Sequence, residues 1–191
     1  MPFHFRNTFE LADVDEAVEW KRQYADDMLH SGRVKLFIDG VMETLTAQML
    51  DDYPGFPGNK GAPLYTPERF AEIVMRADGH GLQVSTHAIG DGGVRTTIDA
   101  YEAARKKNGM RDSRHRIEHI ELIDPSDIPR LAQLGIVASL QPIAGVGVPG
   151  ISGGAHPLAG GGQAALCLCM ADDPRHRGGG GLFVGLAGFA A

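Results

Sequence analysis

At 191 residues the chain fits one domain or part of a larger one, and its 43% apolar share is ordinary for a globular protein. A formal charge of −6 and a pI near 5.7, with no basic run interleaved with aromatics, exclude nucleic acid as the main partner. No apolar stretch is long enough to cross a bilayer, the first residues lack the regions of a signal peptide, and Cys167 and Cys169 are poorly spaced for a mutual disulfide and lack a second pair for zinc, so a reducing cytoplasm is the expected setting.

Pro2 to Arg6 alternates Phe3 and Phe5 with His4 and Arg6 and reads as a short strand. Asp13 to Leu29 reads as an amphipathic helix on Val14, Ala17, Val18, Tyr24 and Met28, with Trp20 off phase and Gly32 placed to end it. Val34 to Ile38 is a strand carrying Lys35. Thr44 to Gly61 is long, irregular and dense in turn residues. It is either a functional loop over the end of the lysine strand or a surface excursion. Thr66 and Pro67 then open a helix that runs to about Asp78, with Gly79 and Gly81 stopping it. Leu82 to His87 is strand, Gly92 to Lys107 helix, and His115 to Ile120 strand. Asp124, as N-cap before Pro125, opens a last helix to about Leu134, and Ile136 to Leu140 is the fifth strand.

Strands alternating with helices predict a parallel sheet with right-handed crossovers, its strands apolar on both faces. The fold class is therefore α/β. Five strands fall short of the eight of a closed barrel, so the chain reads as part of a (β/α)₈ barrel or as an open sheet. In either, strand ends converge on one rim. His87 and His119 end consecutive strands, 32 residues apart, and neutral imidazoles so placed can share a metal ion. The alternative is a pair of structural histidines. Lys35 needs a partner on a buried strand: Asp39, Glu43 or Glu118 on the plain reading, or conversion by CO₂ into an anionic, metal-bridging carbamate. Glu118 is expected on the face opposite His119, paired with Arg116. Asp91 reads first as a helix cap and second as a group behind the metal ligands. Ser85, Thr86 and Ser139 show no nucleophile arrangement.

Four pieces, in order, carry a resemblance: Val34-Lys35-Leu36-Phe37-Ile38-Asp39-Gly40, Thr86-His87-Ala88-Ile89-Gly90-Asp91, Arg116-Ile117-Glu118-His119 and Ser139-Leu140-Gln141-Pro142. Together they resemble the amidohydrolase superfamily, most closely the branch called amidohydrolase family 3, which includes N-substituted formamide deformylase-like proteins. The resemblance covers residues 1–142 and implies a (β/α)₈ barrel of which this chain holds about strands three to seven. It implies that Lys35 on the fourth strand, often carboxylated, and His87 and His119 on the fifth and sixth bind a divalent metal, zinc foremost, as one or two ions. The implied activity is hydrolysis of a small amide-type substrate, with metal-activated water and an aspartate after the eighth strand moving the proton. A phosphotriesterase-like hydrolase using the same lysine and histidines is the other enzymatic reading.

The family's first-strand His-x-His pair has no counterpart here, and neither does its last Gly-Ser-Asp strand. Weak or no catalysis by the chain as it stands is therefore expected, with open strand edges that favour self-association. Composition also breaks: residues 1–143 read as the partial hydrolase barrel, whereas 14 of 26 glycines and both cysteines lie in 144–191, which has no helix or strand period. That tail reads as disordered or as a shifted reading frame, which sequencing of the parent locus tests.

Overall fold

The computed structural model describes residues 10–24 and 32–140. The strand expected at Pro2–Arg6, residues 25–29 of the expected first helix, Gln141–Pro142 and the Gly-rich segment lie outside the described residues. The first helix itself stops at Gln23, short of the expected Leu29, with the Tyr24 N–H capping the Trp20 carbonyl at 2.9 Å. Helix α1 (Leu11–Gln23) is followed by β1 (Arg33–Phe37), a 3₁₀ turn (Met42–Thr44), α2 (Pro67–Gly79), β2 (Gln83–Ala88), α3 (Asp91–Asn108), β3 (Arg116–His119), α4 (Ile128–Leu134) and β4 (Val137–Leu140).

The four strands form one sheet in the order β1-β2-β3-β4, every neighbour parallel. Register aligns Lys35 with Ser85, Ser85 with Arg116 and Arg116 with Val137. Two residues on, Phe37 aligns with His87, His87 with Glu118 and Glu118 with Ser139. One face of the sheet is apolar and buried: Val34, Leu36, Val84, Ala88, Ile117, Ala138 and Leu140. It packs under the helices, whose inward residues recur at helical spacing, Phe70, Ile73, Val74 and Ala77 on α2 and Val94, Ile98, Tyr101 and Ala104 on α3. The other face carries Lys35, Ser85, His87, Arg116, Glu118 and Ser139, so the strands are not apolar on both faces. Alternation has period two, and only the side turned to the helices joins the core.

Helix α2 begins as its sequence dictates, with Pro67 first and the Thr66 Oγ1 accepting the Arg69 N–H at 3.3 Å. Helix α4 starts later than expected, after Asp127 rather than Asp124. The Asp124 Oδ1 is taken by the Ser126 N–H at 2.9 Å, so residues 125–127 form a turn first. Asp127 is then fixed by Arg95 at 2.8 Å and Arg130 at 2.9 Å. Gly135, at φ 68°, ends α4 in the left-handed conformation that glycine adopts freely.

Candidate metal centre

The C-terminal ends of the parallel strands bring Asp39 and Gly40, His87 and His119 to one rim of the sheet. The His87 ring is buried, tilted against Phe37 with ring centroids 5.1 Å apart. Its Nε2 lies 2.9 Å from the Gly40 carbonyl oxygen. A carbonyl only accepts, so Nε2 carries the proton and donates it, which leaves Nδ1 as the ring's acceptor nitrogen. Burial holds the His87 pKa below its ordinary 6.5; the Gly40 bond opposes that and the nearby Lys35 charge adds to it. The ring is thus neutral at physiological pH, as a metal ligand must be.

The His119 ring stands edge-on to His87, centroids 4.6 Å apart and planes at 67°. Register alone aligns His119 with Ala88, whose side belongs to the helix-covered core. The backbone breaks that alternation: His119 has φ 80° and Ile120 φ 50°, two consecutive non-glycine residues in left-handed space. Hydrogen bonds from Ile120 N–H to the Ala88 carbonyl at 3.1 Å and from Leu122 N–H to the Ile89 carbonyl at 3.0 Å hold the turn. The two expected histidines are therefore adjacent in space.

Lys35 lies on the same face, its Nζ 5.2 Å from the centre of the Phe37 ring. Burial lowers its pKa below the usual lysine value; Glu118 opposes that, while Arg116 and Arg33 reinforce it. Of the three carboxylates weighed for Lys35, Glu118 is the one whose charge bears on it. Glu118 accepts from Ser85 Oγ at 2.7 Å and pairs with Arg116 Nε at 2.7 Å. The Arg116 pairing is as expected. The expected orientation is not, because Glu118 shares a face with Lys35 and His87, and it is His119 that leaves the pleat.

Asp39 does different work. Its carboxylate accepts from the backbone N–H groups of Gln48 at 2.9 Å, Ile89 at 3.1 Å and Gly90 at 2.9 Å. Burial pushes its pKa up to about 6 against the pull of those three donors. Its nearer oxygen is 3.7 Å from His87 Nε2. Nothing in the spacing of the sequence marks this role; the Asp-Gly pair at the end of the lysine strand was its only trace. Asp91 is the first residue of α3 and not its cap, which is Gly90. Its Oδ1 accepts the Leu50 N–H at 2.9 Å and so ties the long loop to the helix.

That loop is a built cover on the rim. Backbone bonds close it on itself, Met49 N–H to the Lys60 carbonyl and Tyr53 N–H to that of Asn59, both 2.8 Å, and Leu64 N–H returns to Ile38 at 2.8 Å. Buried Tyr53 donates to the Ala47 carbonyl at 2.8 Å. Met42, Ala47, Met49 and Tyr53 pack with Ile89 and Leu122, a second small core joining the loop to the turns after β2 and β3. Beside it, burial and the charges of Glu43 and Asp39 push Glu121 up to about 7.

Among the described residues no group of three or more His, Cys, Asp or Glu side chains is placed to hold a metal ion. Two adjacent imidazoles, His87 neutral with its tautomer fixed, and a lysine of lowered basicity on the same face suit part of such a ligand set. Among the same residues no helix is long and apolar enough to cross a membrane.

The sequence pattern of the amidohydrolase family matches residues 1–159, running past Pro142 into the Gly-rich segment. The chain is 41% identical over 122 residues to the protein LONG AFTER FAR-RED 3 of Arabidopsis thaliana, covering 64% of this chain and 21% of that one. It is 32% identical over 111 residues to the putative amidohydrolase YtcJ of Bacillus subtilis, covering 58% and 20%. It is 28% identical over 109 residues to the N-substituted formamide deformylase of Arthrobacter pascens, covering 57% and 20%. The chain thus spans about a fifth of the length of these relatives. An uncharacterised metal-dependent hydrolase of Pyrococcus furiosus superposes with a TM-score of 0.58 at 30% identity, over 71% of this chain and 28% of that one. With the pattern covering most of its length, the chain belongs to the amidohydrolase family.

Proposed function

We propose that this chain is the central strand block, about strands three to seven, of a metal-dependent hydrolase barrel that cleaves non-peptide C–N bonds in small amides or formamides. Lys35, His87 and His119 are its metal-facing residues. The observation that carries this reading is the pairing of His87 with His119, two imidazoles 32 residues apart in sequence and 4.6 Å apart in space. A bound divalent metal, zinc foremost, supplies Lewis acidity and an activated water. His87 stays neutral through burial, donates Nε2–H to Gly40 and keeps Nδ1 for a ligand bond. Burial also favours the uncharged amine of Lys35, the form that reacts with CO₂ to give a carbamate. Glu118, bonded to Ser85 and Arg116, holds the polar floor below.

The sequence offers neither a His-x-His pair nor a Gly-Ser-Asp strand, so turnover by this chain alone is weak or nil. Metal analysis of the purified full chain tests the reading. We expect stoichiometric zinc or cobalt that His87→Ala and His119→Ala each remove, with little hydrolysis of N-formyl amines. A chain that takes up no metal is instead a non-catalytic module with structural histidines. Turnover at the level of intact amidohydrolases would refute the inactive-fragment part.

A further inference from the structure

We propose that Asp39 is a positioning residue for the metal centre: its carboxylate locks together the three backbone segments that set the Gly40 carbonyl against His87, and so fixes which ring nitrogen is left for a metal. The inference rests on the metal-binding role given to His87 above.

The geometry is closely built. Asp39 follows the lysine strand directly, and its side chain is buried. Its oxygens take N–H groups from the loop at Gln48 and from the turn after β2 at Ile89 and Gly90, two and three residues beyond His87. Gly40, the next residue, donates its N–H to the Thr46 carbonyl at 3.1 Å and offers its own carbonyl to His87 Nε2–H. One carboxylate therefore anchors both ends of the hydrogen bond that orients the ring: the segment bearing the acceptor and the turn bearing the histidine.

Two glycines make room for this. A Cβ on Gly93 would lie 2.6 Å from Asp39 Oδ2, and one on Gly90 would lie 2.1 Å from the Gln48 carbonyl oxygen. Neither glycine has positive φ, so close approach and not backbone freedom requires them. A carboxylate surrounded by backbone donors, with side chains excluded on two sides, has little room to shift. Groups that orient a ligand from behind commonly contribute ten- to hundredfold to metal affinity.

The test uses the full chain freed of metal and titrated with Co²⁺ against a chelating dye, read by affinity and by the cobalt ligand-field spectrum. Asp39→Asn and Gly93→Ala are expected to weaken Co²⁺ binding about tenfold or more and to alter the spectrum. Asp78→Asn, a comparable buried carboxylate near the start of β3, is expected to keep wild-type affinity once unfolded protein is discounted. In ¹⁵N-histidine spectra of the metal-free chain, His87 should appear as the Nε2–H tautomer with a proton protected from exchange, and Gly93→Ala should lose that protection. Wild-type Co²⁺ affinity in Asp39→Asn and in Gly93→Ala overturns the inference; if Asp39→Asn does not fold, Gly93→Ala decides alone. A wild-type chain that binds no Co²⁺ overturns the metal reading itself, whereas an unprotected His87 proton in the wild type overturns only the positioning claim.

Discussion

Gly90 carries a constraint that its place at the head of α3 does not advertise. With a Cβ only 2.1 Å from a backbone oxygen of the loop, Gly90→Ala must push one backbone segment off another. Overpacking of this kind costs about 1–3 kcal/mol. An unfolding free energy from urea titration lowered by that amount, with the circular dichroism of the native state unchanged, is the expected result. His115 makes a second prediction. Its Nδ1 accepts the Val84 N–H at 3.0 Å while Nε2 meets Asp78 Oδ1 at 3.0 Å, so the neutral ring is built into the structure. Burial lowers its pKa below 6.5, Asp78 resists and Arg111 assists. The folded state therefore disfavours protonation. The contribution of His115 is whole above pH 6.5 and is lost as pH falls through the lowered folded value. His115→Gln, which cannot titrate, should flatten the fall in denaturant midpoint between pH 8 and pH 5 relative to wild type; an equal fall in both removes His115 as a cause.

Among elements, α2 holds the core most directly. Phe70, Ile73, Val74 and Ala77 are wholly buried against the sheet and α3. Phe70→Ala is expected to cost about 3–5 kcal/mol by denaturant titration. A loss below 1 kcal/mol would mean that the site collapses without a cavity. Apart from the end of α1, which stops at Gln23 and not near Leu29, these helices and strands were legible in the sequence to within a few residues, because caps, glycines and apolar periodicity act locally. What was not legible depended on competing local turns, on backbone conformation or on partners far along the chain. The late start of α4 follows from a local Asx turn that competed with the cap at Asp124. The direction of the His119 ring follows from two positive-φ residues that strict strand alternation cannot express. That His87 and His119 end neighbouring strands could be read from strand order, and Lys35 lies on the His87 face two rows earlier, whereas the Asp39 hub could not be read. Its three donors belong to residues 9, 50 and 51 positions away.

At the scale of the whole molecule, β1 and β4 each have a strand neighbour on one side only among the described residues. An unpaired edge is a template for another strand. Sedimentation should give a mass that rises above 20.4 kDa with concentration; a monomer at all concentrations would show the edges to be covered. The polar face of the sheet has a further bearing. It sets the guanidinium groups of Arg33 and Arg116 and the amine of Lys35 beside the carboxylate of Glu118. Strands from any source that pack against this face must meet its guanidinium and carboxylate groups with partners of opposite sign. For anyone joining further strands to β1 or β4 by complementation or fusion, matching electrostatic sign is as strict a requirement as matching strand number.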